Sequence, residues 1–164
     1  MTSPEQRRKE KIKGITDTMI RRPILFRAFD TTHQVMAKRD ELDGDFDFIK
    51  DGDRVRSTLG WQDVFNGDYP DVIPMQFTGL LDKNGKQIWE GDIVEAAWVH
   101  KGQPGQKFKA IIFYNQHIGS FRIGYDGMGG GAQDEIYFRY QIEVIGNLYE
   151  NPELMNPKSQ TQPQ

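Results

Sequence analysis

Met75-Gln76-Phe77-Thr78-Gly79-Leu80-Leu81-Asp82-Lys83-Asn84-Gly85-Lys86-Gln87-Ile88-Trp89-Glu90-Gly91-Asp92-Ile93-Val94 contains two apolar runs joined across an Asn-Gly turn and leading straight into a third. Met75 to Leu81 and Lys86 to Trp89 read as strands. Asn84-Gly85 stands between them at positions that favour φ > 0, the strongest short-range signal for a tight hairpin. Glu90-Gly91 supplies a second turn. The stretch specifies a fold far better than a reaction.

Downstream the strand signals continue. Asp92 to Val99 and Phe108 to Tyr114 form a pair across Lys101-Gly102-Gln103-Pro104-Gly105, followed by Ser120 to Tyr125, Glu135 to Tyr140 and Glu143 to Ile145. Strands at such regular spacing, without helices between them, predict a meander closed into a small barrel or sandwich. Upstream, Ile24 to Asp30 and Gln34 to Ala37 read as a hairpin around Asp30-Thr31-Thr32-His33. Asp40 to Asp53 is dense in acid and reads as loop with one short strand near Phe46 to Ile49. Trp61, Phe65 and Tyr69, four apart, predict a short helix or a compact loop pinned by its rings. Ser3-Pro4-Glu5-Gln6 opens a helix with Ser3 as its cap. Its apolar stripe of Ile12, Ile15, Met19 and Ile20 is narrow and broken by Gly14, so a short or partly frayed helix is expected, ending before Pro23.

The 164 residues suit one domain with appendages, and 10 Phe, 6 Tyr and 3 Trp favour half-buried pleated surfaces. With no Cys, disulfides and thiolate metal sites are excluded, which fits a reducing cytoplasm. No apolar run is long enough to span a bilayer, and residues 1–22 are too polar for a signal peptide, so a soluble, cytoplasmic protein is expected. The net charge of −3 conceals an asymmetry: residues 1–22 carry 7 Lys/Arg against 3 Asp/Glu, which leaves 14 basic and 21 acidic residues for the rest. So acidic a body argues against a duplex-DNA binder that neutralises phosphates over a broad face.

Most chemistry-bearing patterns fail on inspection. Asp43, Asp45 and Asp47 have the spacing of a calcium loop, but Phe48 stands where the turn needs Gly and Arg54 where a bidentate Glu is required. Gly127-Met128-Gly129-Gly130-Gly131-Ala132 matches a dinucleotide pattern, yet a strand-like segment follows it and not the helix that would receive a pyrophosphate. His33, His100 and His117 are scattered through predicted turns and loops and read as surface histidines. No nucleophile elbow or phosphate-binding loop occurs. The rings of Trp98, Phe113, Tyr114, Phe121, Tyr125, Tyr137, Phe138 and Tyr140, with Lys107, Lys109, Arg122 and Arg139 nearby, match the platforms that bind single strands, but on a small barrel they are expected mainly to fill the core.

Three segments together resemble the YopX family of phage and prophage proteins. They are Phe26-Arg27-Ala28-Phe29-Asp30; the central motif with Thr78-Gly79-Leu80, Lys83-Asn84-Gly85-Lys86 and Glu90-Gly91-Asp92-Ile93-Val94; and Glu143-Val144-Ile145-Gly146-Asn147-Leu148-Tyr149-Glu150-Asn151-Pro152-Glu153-Leu154. The resemblance covers residues 23 to about 155. It implies a phage or prophage origin, a mainly β (α+β) fold with an SH3-like barrel in the C-terminal half, and no established activity. The basic extension before Pro23 is longer than such chains usually carry.

The expected organisation is therefore a basic helix or extension over 1–22, a β domain over 23–155 with its barrel at about 75–150, and a disordered tail over 156–164. No catalytic residue, cofactor or metal is expected. Of the family-signature residues, Gly79, Gly85, Gly91 and Gly146 suit backbone turns or close approaches. Arg27 is expected to pair with Asp92 or Glu90, and Asn147 and Asn151 to satisfy turn backbone groups. Asp30, Asn84 and Pro152 complete the signature as structural residues. The expected function is a small non-enzymatic binding module in the host bacterial cell, engaging a host or phage protein. The alternative is single-strand nucleic-acid binding through Arg7, Arg8, Lys9, Lys11, Lys13, Arg21 and Arg22 with the aromatic strands. A carboxylate-based hydrolase or transferase is a third reading, and self-association into a homo-oligomer is open.

Overall fold

A computed structural model describes residues 3–20, 24–39, 45–100, 103–125, 132–135 and 140–155. Arg21, Arg22 and the Pro23 break, the acidic residues 40–44, the Gly-rich run 127–131, the middle of the strand expected at 135–140, and the tail 156–164 lie outside the described residues.

The chain begins with α1 (Pro4–Ile20), continues through β1 (Phe26–Asp30), β2 (Val35–Met36), β3 (Lys38–Arg39), β4 (Phe46–Lys50) and β5 (Asp53–Leu59), and reaches α2 (Trp61–Asn66). There follow β6 (Val72–Leu81), β7 (Gln87–Trp89), β8 (Asp92–His100), β9 (Gln103–Asn115), β10 (Ser120–Tyr125), β11 (Ala132–Glu135) and β12 (Tyr140–Asn147), and a 3-10 turn at Pro152–Met155. The protein is mostly β, with curled antiparallel sheets that form a half-barrel. Their orders are β2-β1-β6-β7, β3-β4-β5 and β11-β10-β9-β8-β12. The last sheet is the expected meander with one departure, because β12 returns to the far side and pairs with β8.

Helix α1 spans 17 residues, longer than its broken apolar stripe suggested. Its start explains this: Ser3 Oγ accepts from the Gln6 backbone N–H at 3.2 Å while Gln6 Oε1 accepts from the Ser3 N–H at 2.9 Å, a reciprocal capping box. Glu5 and Lys9 add an exposed i,i+4 pair at 3.1 Å. Side chains from Ser3 to Lys13 are all exposed.

The short strand expected near Phe46 to Ile49 is present as β4, and where loop was expected after it the chain turns back into β5 as a hairpin. Lys50 pairs with Asp53 across Asp51-Gly52, whose φ values of 52° and 92° are those of a type I′ turn. At Asn84-Gly85 the expected geometry is corrected, since only Gly85 has positive φ, at 82°. Lys83 and Asn84 form an ordinary β-turn closed by Gly85 N–H to Asp82 O, 3.0 Å, and Asp82 N–H to Lys86 O, 2.7 Å. The Asp82 carboxylate replaces what a mirror-image turn would supply, accepting from the N–H groups of Asn84 and Lys86 with Oδ1 and of Val144 with Oδ2 at 2.8 to 3.0 Å. Local hydrogen bonding of an Asp therefore overrides the dipeptide preference.

Two apolar clusters hold the sheets. Ala28, Ala37, Phe46, Phe48, Leu59, Val64 and Val72 fill the first, where β1, β4, β5, α2 and β6 meet. Ile88, Val94, Ala96, Ala110, Ile112, Ile123, Ile142 and Val144 fill the second. Among the described residues the buried members of the second core are aliphatic, with Phe108 packed against them; the side chains of Tyr125, Tyr137, Phe138 and Tyr140, half of the strand rings expected to fill it, lie outside the described residues. Among the described rings, Trp98 and Tyr114 are exposed and Phe113 and Phe121 half-buried.

Candidate functional site

The signature residues converge where β1, β7, β8 and the end of β12 meet. Arg27 Nη2 donates to Asp92 Oδ1 at 2.5 Å, with its guanidinium carbon 5.3 Å from the Trp89 ring centre. Asp92 is buried, and its other oxygen accepts from the Trp89 N–H at 2.8 Å. Asn147 Nδ2 reaches Asp92 Oδ1 at 3.4 Å, Asn147 Oδ1 accepts from the Tyr149 N–H at 3.0 Å, and Asn151 Oδ1 from the Asn147 N–H at 3.2 Å. Of the two partners considered for Arg27, the structure chooses Asp92. Glu90 offers only its backbone carbonyl, at 3.4 Å.

Three of the glycines work by conformation and one by space. Gly79, Gly85 and Gly91 have φ between 77° and 86°. Gly146 lies at a break in the β8–β12 register, where a Cβ would sit 2.5 Å from Leu154 Cδ1 and 2.8 Å from Asn151 Oδ1. Asn84 donates its N–H to Asp82, and Pro152, exposed, starts the 3-10 turn. The arrangement is a clamp between strands, with charge paired and backbone groups satisfied.

Asp30 organises a second cluster that the sequence reading passed over. It is 0% exposed, accepting from the Thr32 and His33 N–H groups with Oδ1 and from His33 Nδ1 at 2.8 Å and Arg56 Nε at 2.5 Å with Oδ2. Arg56 also bonds Asp71 and lies 5.7 Å from the centre of the Tyr69 ring. Burial works to raise the Asp30 pKa, but the Arg56 bond, the two His33 bonds and the Arg56 charge outweigh it and bring it down to about 2. His33 is thus no plain surface histidine, since its ring is held against a buried carboxylate. The available signal was Asp30 and His33 three apart in a turn. Arg56 and Asp71 gave none, because single charges beside strands look like any solvated face.

An open cleft of about 400 Å³ lies between the end of β6 and the β9–β10 turn, lined by Gln76, Thr78, Leu80, Tyr114, Gly119, Ser120 and Phe121. Leu80 and Tyr114 are 40% and 42% exposed, with Leu81 and Ile118 also exposed. Tyr114 and Phe121 face each other in register, edge to face with centroids 5.3 Å apart. The Glu90 carboxylate joins the two walls, accepting from the Gln76 N–H at 3.2 Å and the Tyr114 N–H at 3.3 Å.

Strand alternation separates these rings from the cations expected beside them. Tyr114 shares a face with the buried Ala110 and Ile112, whereas Lys107 and Lys109 point the other way; Phe121 likewise goes with Ile123, and Arg122 opposes it. Lys107 is bound to Glu95, and Lys109 donates to the Leu154 carbonyl at 2.9 Å. Arg7, Arg8, Lys9, Lys11 and Lys13 are exposed on α1. Among the described residues no group of three or more His, Asp or Glu is placed to hold a metal ion, and no helix is long and apolar enough to cross a membrane.

Comparison with known proteins gives a family and a similar solved structure. The crystal structure of protein EF1440 from Enterococcus faecalis is 28% identical, with the alignment covering 82% of this chain and 99% of that one at a TM-score of 0.49. No curated protein matches the chain significantly. The family model described as YopX protein matches residues 25–156, which takes in both clusters and the cleft. The chain belongs to the YopX family.

Proposed function

We propose that this protein is a non-enzymatic binding module of phage or prophage origin that works in the bacterial cytoplasm and docks a protein partner in the cleft beside Tyr114. The observation that carries the reading is the exposure of Leu80 and Tyr114 in the lining of a concave, ring-bearing surface. Side chains of this kind, left in water on rigid strands, are the raw material of protein interfaces. Family membership supports the phage origin, and the buried signature residues support a scaffold role for themselves. We read the strand series from about 75 to 150 as an SH3-like barrel, on the strength of its curled meander and the return of β12 onto β8.

The test is affinity capture from lysogenic or infected host cells at low salt, with the full chain beside a Leu80→Glu, Tyr114→Ser variant. Both substituted residues are exposed, so circular dichroism should be unchanged. A partner retained by the parent and lost by the variant supports the proposal. Repeated capture of nothing, or of partners held equally by both, overturns it.

The exposed cations of α1 favour a second reading, single-strand nucleic-acid binding. It requires salt-sensitive affinity for oligonucleotides that weakens when residues 1–22 are removed. A flat anisotropy titration at low salt eliminates it.

A further inference from the structure

The cleft has a charge as well as a shape. Glu90 takes hydrogen bonds only from the neutral N–H groups of Gln76 and Tyr114, and no cation pairs with its carboxylate among the described residues. Arg27, which reaches the Glu90 backbone carbonyl, is already matched by the buried Asp92, so that pair is close to neutral and the Glu90 carboxylate remains as net negative charge on the backbone of both cleft walls. Its field reaches other groups: the Tyr149 hydroxyl is pushed up in pKa first by burial and then by the Glu90 charge. The cleft itself holds the two rings, Tyr114 and Phe121, with Thr78, Ser120 and Gln76 supplying polar groups on both walls.

Ring faces attract cations through their quadrupole, and a carboxylate in a partly dry wall adds a Coulomb attraction that bulk water only partly screens. The same carboxylate repels phosphate. The exposed side chain of Leu80 in the cleft wall suits the aliphatic stem of a long side chain or its apolar neighbours.

We propose that the cleft between Thr78–Leu80 and Tyr114–Phe121 is a socket for a basic side chain, an arginine or lysine presented between apolar residues by a separate protein partner. This rests on the docking function proposed above and adds the chemistry of what docks.

The experiment is a two-dimensional amide NMR titration of the full chain with three probes, acetyl-Leu-Arg-Leu-amide, acetyl-Leu-Gln-Leu-amide and acetyl-Leu-Glu-Leu-amide, together with a ten-residue oligothymidylate. The arginine probe should shift the amides of Gln76, Thr78, Tyr114, Gly119, Ser120 and Phe121 saturably, and the glutamate probe should leave them in place. Glu90→Gln should weaken the arginine probe about three- to tenfold, and Tyr114→Leu should weaken it by a similar factor while the spectrum stays dispersed. Equal binding of the glutamine and arginine probes in the cleft overturns the basic socket and leaves protein docking standing. Oligothymidylate shifts at the same amides overturn both. No saturable shift with the arginine probe overturns the socket alone, since capture by the Leu80, Tyr114 surface is scored separately. Cleft shifts that follow protein concentration with no probe present assign the socket to the basic helix of a second copy, against a separate partner.

Discussion

A carboxylate with no access to water, Asp30, holds together a turn, a neighbouring strand and an arginine, and this has a measurable consequence in acid. Its folded-state pKa of about 2 lies below the ordinary 3.8, so the unfolded chain binds more protons as the pH falls. The stabilisation, about 2 kcal/mol at 1.4 kcal/mol per pKa unit, is fully present above the ordinary value and drains away as the pH drops through about 2. Asp71 and Asp82 are also lowered, and so act in the same direction. The urea midpoint should fall steeply between about pH 4 and pH 2. Asp30→Asn, which leaves Arg56 short of a partner, should cost about 3–5 kcal/mol at neutral pH and flatten that acid slope; an unchanged slope would show that Asp30 is not its source. Gly146→Ala, forced against Leu154 and Asn151, should cost about 1–3 kcal/mol in the same assay. Residue-level legibility followed local context and not sequence distance. Arg27 inside a strand motif announced that it needed an anion, whereas Arg56, which bonds Asp30 from 26 positions away, and Asp71, which joins the cluster through Arg56, carry no local mark.

Among elements, the hairpins show how much of the fold could be read from the chain and what obscured the rest. β6–β7 was legible because the turn and both strands are contiguous. Its turn type was not, because Asp82 recruits the N–H groups that decide it. β4 was legible near Phe46 to Ile49, but its pairing with β5 was hidden by the acid around it, although Asp51-Gly52 carried the signal. The aliphatic side chains buried in the second core were not singled out, because ring count does not say which face of a strand a ring takes. Gly85 has open space around it and φ of 82°, so Gly85→Ala should cost about 1–2 kcal/mol from backbone strain alone. Gly85→Asn should recover part of this in thermal denaturation. For α1, Ser3→Ala removes one half of the capping box and should lower helicity in the far ultraviolet. It should leave the thermal midpoint of the sheets unmoved, because the side chains of the first ten helical residues are exposed.

At the scale of the whole molecule, the clamp of Arg27, Asp92 and Asn147 joins β1 of one sheet to β8 and β12 of another. Asp92→Asn should therefore destabilise both by about 3–5 kcal/mol. Loss of tryptophan fluorescence and loss of β-sheet circular dichroism should still coincide in urea; separated transitions would mean that the two apolar clusters unfold independently. The return of β12 onto β8 has a further consequence, for the order of synthesis. A nascent chain delivers β8 well before β12, so Asp82 and Asp92 leave the ribosome before Val144 and Asn147 exist to donate to them. Until the last strand arrives, one edge of β8 is unpaired and two carboxylates destined for burial are incompletely satisfied. Delivery of β12 is therefore the step that seals the sheet, and chains arrested before residue 140 should be the ones that aggregate or attract chaperones.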